Sequence, residues 1–159
     1  MVETKIGADT RFDDVLEQHR ELRSLIKEMK RFLDRPRPEI GQRGSHTWAS
    51  TLAGDLLHLH DSVFRHFREE ERSGFLEEIE TRHPPAIRAI KMLRNEHDRI
   101  LAELRELLGA AMIYSEGKSP ESPRLRRWTL SILDRIAQHE YEETELFQEL
   151  QYLNLGVGD

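Results

Sequence analysis

The sequence has no cysteine. Disulfides, iron–sulfur clusters and thiolate zinc sites are therefore excluded. Nowhere does it approach the roughly 20 consecutive apolar residues of a membrane-spanning helix, so no membrane partner is expected. Met1 to Thr10 lacks an apolar core of signal-peptide length. These absences make a soluble cytoplasmic protein the expectation. Positive charge is also short: 24 Lys and Arg face 30 Asp and Glu, a net charge of −6. Such a chain gains nothing from neutralising phosphates, so nucleic acid is not an expected partner. The basic cluster Arg124, Arg126, Arg127 reads as a solvated helix face. Strand alternation and internal repeats are missing, as are a His-Glu-x-x-His protease motif, a phosphate loop and a dinucleotide fingerprint.

What remains is a chain of 159 residues, 37% hydrophobic and 34% charged. That length suits one domain, 1–159, and that balance suits helices that each bury one stripe. Breakers divide it three times: Arg35-Pro36-Arg37-Pro38 to Gly44, His83-Pro84-Pro85, and Gly117 to Pro123. Proline lacks the amide donor and glycine disfavours helical order, so each stretch stops a helix. Four helices are predicted, about Thr10 to Asp34, Ser45 to Thr81, Pro85 to Ile113 and Pro123 to Tyr152, with Ser45 and Ser122 as N-caps. Short connections make neighbours antiparallel. The fold class is all-α, an up-down-up-down antiparallel four-helix bundle.

Each segment carries a seam spaced by three and four residues, the signature of a bundle core. The first reads Phe12, Val15, His19, Leu22, Ile26, Met29, Leu33, and the second Leu52, Leu56, Leu59, Val63, His66, Glu70. The third reads Ile90, Leu93, His97, Ile100, Leu104, Leu107. The fourth reads Leu125, Trp128, Ile132, Ile136, His139, Glu143, Leu146, Leu150. Four histidines and two glutamates thus stand where apolar neighbours define the interior. A bare carboxylate there costs several kcal/mol unless it is paired or bound to metal. His19 alone reads as a hydrogen-bonded core histidine, and one His–Glu pair alone as a surface ion pair. All six together need a common cause.

Spacing supplies it. His66 and Glu70, and again His139 and Glu143, lie four apart on one helix face. Counted from the expected helix ends, the second, third and fourth segments bring their histidines to about one level. The first and second match less well, 15 residues against 21, which a longer second helix or an extended first connection would absorb. Six donors exceed the needs of one tetrahedral zinc. Imidazole mixed with carboxylate suits iron or manganese. The donors suffice for two ions sharing both glutamates. A ferritin-type site would need two Glu-x-x-His motifs, and only Glu80 to His83 has that spacing.

With these stretches the sequence resembles the hemerythrin-like family, the HHE cation-binding domain. The matching runs are Glu17 to Leu22, His66 to Glu71, Asn95-Glu96-His97, and His139 to Glu143 followed by Leu146-Phe147. They come in the family's order. The resemblance implies a non-haem centre of two iron ions, with His19, His66, His97 and His139 as terminal ligands and Glu70 and Glu143 as bridges. It also implies a small diatomic or peroxide ligand. Two departures stand out. Oxygen-carrying members have two histidines four apart on the third helix, where this chain has Leu93 and Leu101 around His97. They also have an aspartate where this chain has Thr144. Nitric-oxide-linked iron-repair members often add a cysteine-bearing region that this chain lacks.

Other polar residues receive blander readings. His46, His58 and His60 are expected in solvated or capping roles, with a seventh ligand from one of them as the alternative. Glu69, Glu71, Glu140 and Glu142 are expected on wet faces, and Trp48 and Trp128 as core anchors. Leu153 to Asp159 reads as a mobile end. Three functions compete: a di-iron protein that binds or reduces dioxygen, peroxide or nitric oxide; an iron- or oxygen-responsive sensor; and a metal-free structural bundle.

Overall fold

The computed structural model of the chain describes residues 3–36, 44–117 and 122–156. It is all-helical: α1 spans Glu3–Asp34, α2 Ser45–Arg72, α3 Phe75–Arg82, α4 Ile87–Ser115 and α5 Ser122–Gly156, with a 3-10 turn at Pro84–Ala86. No helix among the described residues is long and apolar enough to cross a membrane. Most of the first break, 37–43, and residues 118–121 of the third lie outside the described residues, as do 157–159 of the tail.

The long second helix read from the sequence is in fact two. Ser73 closes α2, its amide bonding Glu69 O, and Gly74 then takes φ 76°, a left-handed conformation that ends helical hydrogen bonding. The apolar residues that resume at once, Phe75 and Leu76, are both buried, which hid the break in the sequence. Ser45 is not the cap of α2. Gly44, at φ 94°, holds that position without a side-chain bond. Helix α1 starts seven residues earlier than Thr10, and α5 runs on to Gly156 through the start of the expected mobile end.

The four long helices touch in a closed ring, α1 to α2, α2 to α4, α4 to α5 and α5 back to α1. Phe32 of α1 stacks on Trp48 of α2, while Gln18 donates to Glu69. Trp48 meets Tyr114 edge-on, while Phe67 stacks on His97. Trp128 Nε1 donates to Glu103 at 3.2 Å, while Arg135 reaches Glu96 at 3.4 Å. Asp134 holds Lys30 at 2.5 Å, and Thr144 lies against His19. In every pair the residue number rises on one helix as it falls on the next. Arg126 is no idle surface charge. Its Nε donates to Leu33 O at 2.9 Å, satisfying a carbonyl at the C-terminal end of α1.

The core is split. A larger apolar cluster joins Leu22, Ile26 and Met29 of α1 to Leu52, Leu56 and Leu59 of α2, Ile100 and Leu104 of α4, and Ile132 and Ile136 of α5. A smaller one joins Phe12, Val15, Phe75, Leu76, Ile90, Leu93 and Phe147. Each fully buried side chain of this kind contributes about 1.5–3 kcal/mol. On α1, α4 and α5 the buried histidines, with Glu143, fall between the two clusters, while on α2 His66 lies between Val63 and Phe67 of the larger cluster and Glu70 follows at its end. Trp48 is buried in the larger cluster and Trp128 packs partly buried against it.

Candidate metal centre

Helical spacing builds the centre. His19 sits between Val15 and Leu22 on α1, and His97 between Leu93 and Ile100 on α4, so their apolar neighbours fix which way they face. His66 and Glu70 of α2, and His139 and Glu143 of α5, stack one turn apart on their inward faces. All six side chains are buried, none more than 3% exposed. The level mismatch read between the first two segments does not separate them: His19 Nε2 and His66 Nε2 stand 3.1 Å apart.

The six form two overlapping groups. Donor atoms of His19, His66, Glu70 and Glu143 lie within 4.8 Å of one another, as do those of His97, His139 and Glu143. Glu70 Oε1 is 3.2 Å from His66 Nε2 and 3.8 Å from His19 Nε2, while its Oε2 is 3.6 Å from His97 Nε2. Glu143 Oε2 is 3.3 Å from His19 Nε2 and 3.9 Å from His139 Nε2, while Oε1 is 3.9 Å from His97 Nε2. Each carboxylate therefore turns one oxygen toward His97 and the other toward His19. Nitrogen and oxygen donors sit about 2.0–2.2 Å from a bound divalent ion such as zinc. Gaps of 3–4 Å between donors are those such an ion would fill.

Outer hydrogen bonds aim the rings. His66 Nδ1 bonds Gln18 Oε1 at 2.6 Å and His97 Nδ1 bonds Glu71 Oε1 at 3.0 Å. These oxygens accept, so both rings carry their proton on Nδ1 and present the Nε2 lone pair inward. His19 Nδ1 meets Thr144 Oγ1 at 2.8 Å, and His139 Nδ1 lies 3.6 Å from Glu96 Oε2. An oxygen behind each imidazole is the arrangement that orients metal-binding histidines.

The inward atoms lack protein partners. Both oxygens of Glu70 and of Glu143, with Nε2 of His97 and of His139, are buried without a hydrogen bond. Burial and the charge of Glu143 push Glu70 well above the usual carboxylate range. Burial also acts to raise Glu143, but the imidazole of His19, 3.3 Å away, and the nearby His139, His66 and His97 outweigh it and hold Glu143 down at about 2. Burial lowers His66 to about 3 and lowers His139 as well. Neutral imidazoles beside carboxylate are the protonation state that a cation requires. Six orphaned donors between two apolar layers fit a metal site.

Three residues differ from their sequence reading. Glu140 is buried at 1% exposure, not on a wet face, and neither of its oxygens has a hydrogen-bond partner. Glu71 is partly buried and holds His97. Phe67, absent from the predicted seam, is buried among three of the histidines. Glu69 and Glu142 are exposed as expected, with Glu69 accepting from Gln18 and Glu142 from Gln138. His46 Nδ1 caps Ser115 O, His60 stacks on Phe64 beside Asp61, and His58 is exposed. None of these three belongs to either donor group.

Compared with protein-family models, the chain matches the hemerythrin HHE cation binding domain over residues 10–150. No curated protein and no solved structure matches it significantly.

Proposed function

The chain belongs to the hemerythrin HHE cation-binding domain family, and on that premise we propose that it holds two iron ions and handles a small oxidant with them. The oxidant is dioxygen, peroxide or nitric oxide. The observation that carries this reading is the set of buried, unpartnered oxygens on Glu70 and Glu143, each carboxylate turned toward histidines on both sides. His19 and His66 would hold one ion, His97 and His139 the other, and the two glutamates would join them. We read the closed ring of oppositely running helices as the up-down-up-down four-helix bundle of a single domain.

Iron, when bound, supplies redox chemistry and Lewis acidity. The chain's own residues do the rest. Gln18, Glu71 and Thr144 keep the Nε2 lone pairs of His66, His97 and His19 pointed inward. Leu22, Ile136, Leu93 and Val15 line the layers above and below and exclude bulk water. Six donors, even with both carboxylates shared, leave two ions short of six ligands each, which favours reaction with a small ligand over pure storage. Access is narrow. Two cavities flank Gln18 between α1 and α2, one of about 250 Å³ reaching His66 and one of about 650 Å³ reaching Glu70.

The test starts with protein produced in iron-rich medium, reduced without oxygen and assayed for metal. Two iron ions per chain, with absorption that changes on adding dioxygen, peroxide or nitric oxide, support the proposal. Metal-free protein, or absorption indifferent to every addition, sinks it.

One observation favours a second reading, an iron-responsive partner protein. The donor layer interrupts the apolar core at mid-height, so metal load sets how firmly the two clusters are joined. Equal melting temperatures with and without iron would dispose of it.

A further inference from the structure

Glu140 lies outside the six-donor set, yet it is as deeply buried as the donors are. Both its oxygens lack a hydrogen-bond partner, and among the described residues the charge of Arg23 favours its ionised form without outweighing burial. A carboxyl left so in an interior is costly, and native chains seldom keep one without use.

Its place follows from an internal two-fold relation. Exchange α1 with α4 and α2 with α5. His19 then maps onto His97, His66 onto His139, and Glu70 onto Glu143. The outer partners follow: Gln18 behind His66 corresponds to Glu96 behind His139, and Thr144 behind His19 corresponds to Glu71 behind His97. The same exchange carries Phe67, directly after His66, onto Glu140, directly after His139. The ring of Phe67 lies on the imidazole of His97. By that exchange Glu140 is the α5 counterpart of this ring, and His19 of α1 the counterpart of His97. Glu140 stands one helical turn before Thr144, whose hydroxyl meets His19. Where one half of the centre has an inert aromatic ring, the other has a carboxylate.

Resting on the reading of the centre as a metal site, we propose that Glu140 is a third carboxylate donor, serving the ion held by His19 and His66. Two divalent ions bring four positive charges, and Glu70 and Glu143 offset only two. A third carboxylate on the crowded side lowers that excess in a medium that screens poorly. Its oxygens stand outside the donor groups within 4.8 Å, and the rotamers of a glutamate side chain allow it to close on an ion.

The experiment compares wild type with Glu140→Leu and Glu140→Gln. The readouts are iron per chain, affinity in competition with a ferrous chelator, and melting temperature with and without iron. Loss of a buried carboxyl alone raises the melting temperature of metal-free Glu140→Leu and leaves iron affinity unchanged. Ligation by Glu140 predicts that both variants weaken the tighter or the weaker iron site by at least about tenfold and shrink the melting-temperature gain on loading. The Gln variant keeps shape and hydrogen-bonding capacity if the Leu variant misfolds. Affinities within twofold of wild type for both ions overturn the role of Glu140 while the metal centre stands. A wild type that binds no iron overturns both.

Discussion

The ring of Phe67 lies nearly flat on the imidazole of His97, centroids 3.8 Å apart and planes 11° from parallel. It also meets His139 edge-on at 5.3 Å. A hydrophobic side chain of α2 thus packs on one histidine from α4 and one from α5. Phe67→Ala is expected to cost about 3–5 kcal/mol in urea unfolding of metal-free protein, the usual penalty for emptying a buried aromatic site. Phe67→Leu keeps most of the volume and loses the flat face, so its cost is expected near 1 kcal/mol. A Leu variant as damaged as the Ala variant would show that ring shape, not volume, dominates.

Much of this was legible in the sequence. Three- and four-residue spacing placed His19, His66, His97 and His139 inside, because apolar neighbours on both sides leave a helical residue no other direction. Glu140 reads as exposed in the sequence because it stands among His139, Tyr141 and Glu142, which look like the edge of a wet face. The signal lay further off: Leu133 and Phe147, seven residues before and after Glu140, are both buried, so α5 hides a wider face than one seam. Gly74 gives no visible break in the sequence because Phe75 and Leu76 restart the apolar pattern without a gap. Phe67 and Glu71 could not be placed from spacing, since their roles depend on which neighbour packs against them.

The outer hydrogen bonds have a measurable weight. Gln18→Leu removes the acceptor behind His66, and Glu71→Ala removes the one behind His97. Each is expected to weaken metal binding by about 10- to 100-fold while leaving the ligands in place. Chelator competition reads this directly. Gln18 also bonds Glu69 across the α1–α2 seam between two cavities, so its loss is expected to speed metal release as well. Unchanged affinity in both variants would mean that packing alone holds the rings.

Metal-free protein is expected to be most stable in mildly acidic solution. Glu140 is raised to about 8 from 4.5, by burial first and then by Glu143, so the folded state keeps a proton that the unfolded chain gives up above 4.5. Stability therefore falls as pH rises from about 4.5 to about 8. His66 is lowered to about 3 from 6.5 by burial, so the unfolded chain binds the extra proton. That limb loses stability as pH falls from about 6.5 to about 3. Chemical denaturation across this range should give a maximum between the two limbs, with the alkaline limb flattened in Glu140→Leu. A curve that still rises from pH 6.5 to 8 would contradict the assignment.

Gly74 offers a test of the broken second helix. Its φ of 76° is left-handed, and a Cβ built there meets nothing within 4 Å. The cost of Gly74→Ala is then conformational alone, about 1–2 kcal/mol. Equilibrium unfolding measures it. A neutral or stabilising effect would mean that α2 and α3 run on as one helix, as the sequence first suggested.

Glu143 belongs to both donor groups, whereas His97 and His139 belong to one. Removing them should therefore have different stoichiometric consequences. His139→Ala strips the smaller group to two donors and leaves His19, His66, Glu70 and Glu143 intact, so one iron per chain should remain. Glu143→Ala takes a donor from both groups and is expected to leave less than one. It also removes the carboxylate that offsets the buried histidines, so metal-free Glu143→Ala gains no stability to mask the effect. Metal analysis after gel filtration separates the cases. Two ions retained in Glu143→Ala, or none in His139→Ala, would show that the ions do not share this carboxylate.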